Sequence, residues 1–155
     1  MSFASPGRII DVEVEDAAWT AALPDADALT RAAAEAAFAA IEAVSGGVVI
    51  LLADDVAVAE LNQQFRDKPG PTNVLSFPAP LGPEDHLGDI ALAYGVCARE
   101  AAEQGKSLAD HLQHLVAHGV LHLVGFDHET DDEAETMETR EREILGGLGV
   151  SDPYA

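Results

Sequence analysis

Five consecutive aliphatic residues, 48–52, would be hidden from water on both faces if they formed a strand. A strand of this kind lies inside a sheet that is covered by helices, so the run predicts strands interleaved with helices. Residues 9–14 alternate apolar and acidic side chains, as a half-buried strand does. Residues 73–77 and 87–94 have the composition of two further strands. The pattern therefore predicts four strands.

Five segments between and after these strands have the apolar spacing of helices. End signals support them, because residues 107–110 and 130–133 both resemble capping boxes and Gly105 follows one segment as a helix stop. The predicted helices cover residues 26–44, 55–65, 95–104, 108–124 and 131–145. Together with the strands they predict a single domain over residues 1–155 with an α+β or mixed α/β fold.

Acidic residues dominate the composition, with 28 Asp and Glu against 8 Lys and Arg, for a formal net charge of −20. Such a surface repels polyanions, so an RNA role needs a local basic spot or partner proteins, and neither DNA nor a membrane is an expected partner. The single cysteine, Cys97, excludes an internal disulfide, and no apolar run approaches the roughly 18–20 residues of a membrane span. We expect a cytoplasmic protein.

Five of the six histidines lie between residues 111 and 128. His118 and His122 are four residues apart, so both imidazoles leave one face of a helix and can meet on one metal ion. Gly125 provides a left-handed exit from the helix, and His128 follows as the third candidate ligand. Three nitrogen ligands leave a fourth position open, which is typical of catalytic sites. Zinc is the expected metal, although imidazoles also suit nickel or copper.

The spacing of these ligands matches the metalloprotease pattern H-E-x-x-H-x-x-G-x-x-H, with one departure. The glutamate that acts as general base in those proteases is Gly119 here, which disfavours peptide hydrolysis by the standard mechanism. Two more histidines precede the pair on the same helix. His114 either supports His118 or contacts substrate, and His111 is predicted to face solvent.

Several blocks of this sequence resemble one family. The segment HGVLHLVGFDH at 118–128 is similar to the signature of the YbeY-type endoribonucleases, the bacterial rRNA maturation factors. The blocks LNQQFR at 61–66, PTNVLSFP at 71–78 and LGDI at 87–90 are similar to further family motifs in the same order. Met137 and Glu141 fall where the last family helix has its M and E. The resemblance covers about residues 55–145, and the only departure is an extra residue before Thr72.

The resemblance implies a mixed four-stranded sheet with about five helices and a zinc ion held by His118, His122 and His128. It also implies single-strand-specific endoribonuclease activity, 16S rRNA 3′-end processing and ribosome quality control. The implied partners are rRNA, the small ribosomal subunit, ribosomal proteins and a ribosome-associated GTPase. The functionally important arginine of the family corresponds to Arg66.

The residues themselves leave some roles open. Arg66 ends a helix before a Pro/Gly turn, where its guanidinium would either grip a phosphate or form a surface salt bridge. Arg66, His118 and His122 are the predicted catalytic residues, and Arg66, Lys68 and His114 are the predicted substrate contacts.

Other acidic and core positions carry weaker signals. Asp89 and Asp127 would either orient a ligand or serve the local structure. Met137 fits a helix core position better than a place beneath the metal, and the nine carboxylates of residues 127–143 are predicted to line a solvated helix face.

Two other functions fit the sequence. One is a non-catalytic ribosome-assembly module with a structural metal, which the net charge favours, and the other is a metal hydrolase of non-RNA substrates.

Overall fold

Four strands and six helices make up the fold in a computed structural model that describes residues 8–41, 46–78, 86–126 and 129–154. The elements are β1 (Arg8–Val14), α1 (Ala18–Ala22), α2 (Ala26–Ala40), β2 (Gly46–Ala53), α3 (Asp55–Arg66), β3 (Val74–Pro78), β4 (His86–Ala93), α4 (Tyr94–Gln104), α5 (Leu108–Leu123) and α6 (Asp131–Gly147). The predicted α+β fold with a mixed four-stranded sheet is confirmed.

The sheet has the strand order β1-β2-β4-β3, in which β3 alone runs antiparallel to its neighbour. Strand β2 lies inside the sheet, where Ile50 is in register with Val12 of β1 and Ile90 of β4. The side chains of Val48, Ile50 and Leu52 are almost fully buried, and thus the prediction of a central strand is confirmed.

Helices cover both faces of this sheet. On one face, α2, α5 and α6 pack over the main core, which includes Phe38, Ile90, Val120 and Met137. On the other face, α3 covers a smaller core around Val58, whose members include residues of β3 and β4. This arrangement places the helix with the histidines directly against one side of the sheet, next to β3 and β4.

The helix ends follow the signals in the sequence. Thr130 and Glu133 form both bonds of a capping box at the start of α6. At the start of α5 the Ser107 hydroxyl accepts a bond from the backbone N–H of Asp110. The side chain of Asp54 caps α3 in the same way. Among the helices in the described ranges, none is long and apolar enough to span a bilayer.

Two details differ from the prediction. Helix α2 ends at Ala40 rather than at residue 44, and residues 42–45 lie outside the described part of the chain. The short helix α1 is additional, and it buries Trp19 completely. The indole N–H of Trp19 donates to the carbonyl of Ala53, which ties α1 to the end of the central strand.

Candidate functional site

Helix α5 carries four histidines along one side, at spacings of three and four residues. The rings of successive neighbours lie 6.3, 6.4 and 4.6 Å apart from His111 to His122. The closest pair is His118 and His122, whose Nε2 atoms are 3.1 Å apart. The spacing of four residues therefore makes two imidazole nitrogens converge on one point beside the helix.

Glu141 of α6 holds the first histidine of this pair. One carboxylate oxygen, Oε2, lies 3.4 Å from Nδ1 of His118, while the other, Oε1, accepts from Nε2 of His114 at 2.6 Å. The hydroxyl of Tyr154 donates to Oε1 as well, at 2.9 Å. With Nδ1 of His118 facing a carboxylate, its Nε2 is left to face His122, which is how second partners orient metal-binding histidines.

The carboxylate of Glu141 is buried, with only 1% of the residue exposed. Burial by itself raises the pKa of Glu141, but the hydrogen bonds and charges of His114 and His118 outweigh it and lower the pKa to about 2. Among the described residues, no lysine or arginine forms an ion pair with this carboxylate. Its negative charge is therefore stabilised by the contacts with His114, His118 and Tyr154.

These features fit a divalent metal ion. Two imidazole nitrogens bound to one zinc at about 2.0–2.1 Å would lie roughly 3.3 Å apart, close to the separation of the His118 and His122 nitrogens. His128, the predicted third ligand, lies outside the described residues, and within the described ranges no three potential ligands group together. Gly125 has a φ of +103°, so the predicted left-handed exit from the helix is confirmed.

Packing explains why residue 119 is a glycine. A Cβ atom at this position would lie 3.0 Å from Cδ1 of Ile90 and 3.2 Å from the hydroxyl oxygen of Ser76. The Ser76 hydroxyl donates to the carbonyl of Gly119 at 3.3 Å. A side chain at this position would require Ile90 and Ser76 to shift by a few tenths of an ångström, so the close approach of α5 to β3 and β4 disfavours a protease-type glutamate there.

Arg66 reaches the same strand from the other side. It is the last residue of α3, and its guanidinium donates to the carbonyl of Ser76 at 3.0 Å. Ser76 thus contacts both Arg66 and Gly119, the residue next to His118. Lys68 follows in an exposed turn that Asn62 closes with a side-chain bond to the carbonyl of Gly70.

The chain also matches known proteins. A sequence model of the family described as "Endoribonuclease YbeY" matches residues 12–149. The chain belongs to this YbeY family. It is 52% identical over 145 residues to the endoribonuclease YbeY of Maricaulis maris, covering 94% of this chain and 91% of that protein. It is 53% identical over 153 residues to that of Azorhizobium caulinodans, covering 94% and 96%.

A solved structure extends the comparison to the fold. The solution structure of TM1509 from Thermotoga maritima superposes with a TM-score of 0.57 at 29% sequence identity. The match covers 94% of this chain and 98% of that one. The α+β architecture described above is therefore shared with a solved protein over nearly its whole length.

One histidine of this YbeY chain is placed differently from the prediction. His111 was expected to face solvent, but it is 2% exposed and bonds to Glu100 of α4 at 2.9 Å. The expectation was wrong because α4 packs across the start of α5 and covers that turn. His114, in contrast, lies beside the pair and supports it through Glu141.

Two residues that contact the histidines have no site role in the sequence prediction. Glu141 is noted there only as a match to the last family helix and as part of the acidic run expected to be solvated, and Tyr154 comes after the last predicted element. A signal for Glu141 was present, since it shares one side of α6 with the buried residues Met137, Ile144 and Leu145. Met137 itself is a core residue, as predicted. Asp89 is half-buried within β4, and Asp127 lies outside the described residues.

Proposed function

We propose that this chain is a metal-dependent endoribonuclease that cleaves single-stranded RNA during 16S rRNA 3′-end maturation and ribosome quality control. The observation that carries the proposal is the convergent pair of His118 and His122, oriented by the buried carboxylate of Glu141. Membership of the YbeY family, whose curated relatives are named endoribonucleases, supports the activity.

The proposed metal is zinc, with other divalent ions as possible occupants of the same ligands. His118, His122 and His128 would hold it. A bound divalent ion supplies Lewis-acid stabilisation for the negative charge that develops on a phosphate under attack. Glu141 keeps Nε2 of His118 directed at the ion by holding Nδ1, and the helix backbone keeps His122 one turn away.

Arg66 is the proposed phosphate ligand. Its Nη2 donates to the carbonyl of Ser76, which leaves the other N–H groups of the guanidinium for a phosphate. Because the position of Ser76 fixes one end of the guanidinium, little ordering is needed when substrate binds. Lys68 and His114 are proposed as further substrate contacts, Lys68 from the turn and His114 from the helix turn before His118.

The net charge of −20 shapes the proposed partners. Free RNA is repelled by most of this surface, so the proposed substrate is rRNA presented by the small ribosomal subunit in the cytoplasm, with a ribosomal protein and a ribosome-associated GTPase as partners. Neither DNA nor a membrane is a proposed partner.

A specific observation supports one alternative function. The acidic surface favours a non-catalytic assembly module whose metal is structural. That alternative predicts that rRNA processing survives loss of the histidine pair, although the melting temperature falls on chelation. Hydrolysis of peptides is disfavoured, because Gly119 stands where the usual general base would be and the close packing around it disfavours a larger residue.

Replacement of Arg66 by lysine tests the proposal. Lysine keeps the positive charge but loses the planar fork, so cleavage of a 16S 3′-end RNA should fall by about 10²-fold or more. Arg99→Lys is the matched control, since Arg99 forms only an exposed ion pair with Asp55 and cleavage should not change. Full cleavage by an Arg66→Ala, His122→Ala double variant would exclude the proposed mechanism.

A further inference from the structure

Phe65 is an aromatic side chain with unusual exposure. It occupies the last turn of α3, next to Arg66, and it is 61% exposed. The other phenylalanines of the described chain, Phe38, Phe77 and Phe126, are buried or half-buried. Most of the Phe65 ring therefore faces water, whereas the other described phenylalanines pack into the fold.

The ring is nevertheless held in place. Phe77 of β3 contacts it with ring centroids 5.3 Å apart at an interplanar angle of 59°. Asp67 ends the helix immediately afterwards in a left-handed conformation, and Asn62 fastens the following turn to α3. An aromatic ring fixed along one side and open on the other is a stacking platform for another flat group.

The charges around Phe65 select the kind of group. Arg66 and Lys68 come one and three residues after Phe65, and among the described residues neither side chain forms an ion pair with a carboxylate. Asp67, which lies between them, accepts a bond from Gln63. An exposed aromatic ring beside unpaired cations is the combination with which proteins bind single-stranded nucleic acid.

Hydrogen bonds link the platform to the helix of the histidine pair. Arg66 donates to the carbonyl of Ser76 in β3, the last strand of the sheet order, and the Ser76 hydroxyl donates to the carbonyl of Gly119, the residue after His118. Because α3 and α5 pack on opposite faces of the sheet, an RNA strand that contacts both Arg66 and the histidine pair would cross the sheet at β3. The base attached to a neighbouring nucleotide would fall within reach of the Phe65 ring.

We propose that Phe65 stacks on one unpaired nucleobase of the RNA substrate, adjacent to the phosphate held by Arg66. This inference rests on the proposed endoribonuclease function and deepens it, because it explains a preference for single strands. A base inside a duplex has both faces covered by its neighbours and is not available to the ring.

Phe65→Leu tests the inference, because leucine keeps an apolar side chain but lacks a π face. The dissociation constant for a short fluorescent single-stranded RNA, measured by anisotropy with the zinc-loaded protein, should rise about fivefold to twentyfold. Phe65→Tyr should restore tight binding. Val56→Ala is the matched control, since Val56 is equally exposed in the first turn of the same helix and should leave binding unchanged. Thermal melting checks that each variant is folded.

Abasic RNA sharpens the test. An abasic site should weaken RNA binding by the wild type only when it lies at one particular position of the RNA. Phe65→Leu should bind the intact RNA and that abasic RNA equally well. The stacking proposal is overturned if Phe65→Leu binds RNA like the wild type while Arg66→Ala does not. This holds even if Phe65→Leu loses binding to a protein partner. In that case the proposed function stands. If the wild type neither binds nor cleaves RNA, both proposals fall.

Discussion

Nδ1 of His118 lies 3.4 Å from Oε2 of Glu141, a carboxylate that α6 buries against the helix of the histidines. Through this contact, two consecutive helices determine the direction in which one imidazole points. The same carboxylate accepts from His114 of α5 and from Tyr154 of the segment after α6. The orientation of His118 therefore depends on α5, on α6 and on that last segment. The geometry of the histidine pair is therefore a property of tertiary packing as well as of the spacing along α5.

Glu141→Gln should weaken metal binding by about 10–100-fold, because the amide carries no charge and leaves His118 less firmly oriented. Competition with a chromophoric zinc chelator measures the affinity. Glu138→Gln, one turn earlier on the same helix, changes a half-buried glutamate that pairs with Arg142 and should have no effect. Equal affinities of the wild type and Glu141→Gln would show that the carboxylate does not support the metal ligands.

Gly119→Ala should destabilise the fold. The added methyl group would meet Ile90 at 3.0 Å and Ser76 at 3.2 Å, and overpacking of this kind costs about 1–3 kcal/mol. The higher helix propensity of alanine offsets about 1 kcal/mol of that cost. Gly146→Ala in α6 is the control and should increase the free energy of unfolding, since nothing lies within 4 Å of the new Cβ. Urea denaturation of both variants measures the difference, and a stabilised Gly119→Ala would contradict the packing argument.

His111 should make the stability depend on pH. Burial disfavours the imidazolium and lowers the pKa of His111 below the ordinary value of 6.5, despite the bond to Glu100. As the pH falls below 6.5, the unfolded chain binds a proton that the folded chain does not, so the free energy of unfolding decreases. Above pH 6.5 this contribution is fully present.

His111→Gln isolates that contribution, because glutamine keeps a donor for Glu100 but does not titrate. The free energy of unfolding is measured for both proteins in EDTA between about pH 5 and 8. The wild type should lose stability relative to the variant as the pH falls through this range. A difference that is constant with pH, or that grows in favour of the wild type at low pH, would contradict the prediction.

Cys97 should be unreactive in the folded protein. Burial, followed by the nearby charges of Glu100 and Asp55, raises the pKa of its thiol to about 12, so almost no thiolate exists at neutral pH. Ellman's reagent at about pH 8 should label the native protein slowly and the urea-unfolded protein at once. Rapid labelling without denaturant would mean that the α4 side of the core opens readily.

Local patterns in the sequence predict most of the fold. The aliphatic run of β2, the capping signals at Thr130 and Ser107 and the glycine exit at residue 125 each depend on residues close together in the chain. These features were correctly predicted because they are decided by local hydrogen bonding and by the periodicity of apolar residues. The end of α2 and the short helix α1 carry weaker local signals and were misplaced or omitted.

The candidate site was only partly predictable for the same reason. The convergence of His118 and His122 follows from the geometry of one helix, and it is visible in the spacing alone. The burial of His111 and Glu141 depends on the preceding helix α4 and the following helix α6 packing back against α5, and these tertiary contacts are not encoded in a local pattern. A hydrophilic residue on an acidic helix gives no local sign that another helix will cover it, apart from its position in line with buried neighbours.

The central claim is that the histidine pair binds a metal ion that RNA cleavage requires. The most direct test measures bound metal and cleavage of a structured 16S 3′-end RNA on the same preparations of wild type and His122→Ala. The account predicts about one equivalent of metal with the wild type, and loss of both metal and cleavage in the variant. Equal cleavage by the two proteins, with or without bound metal, would contradict it.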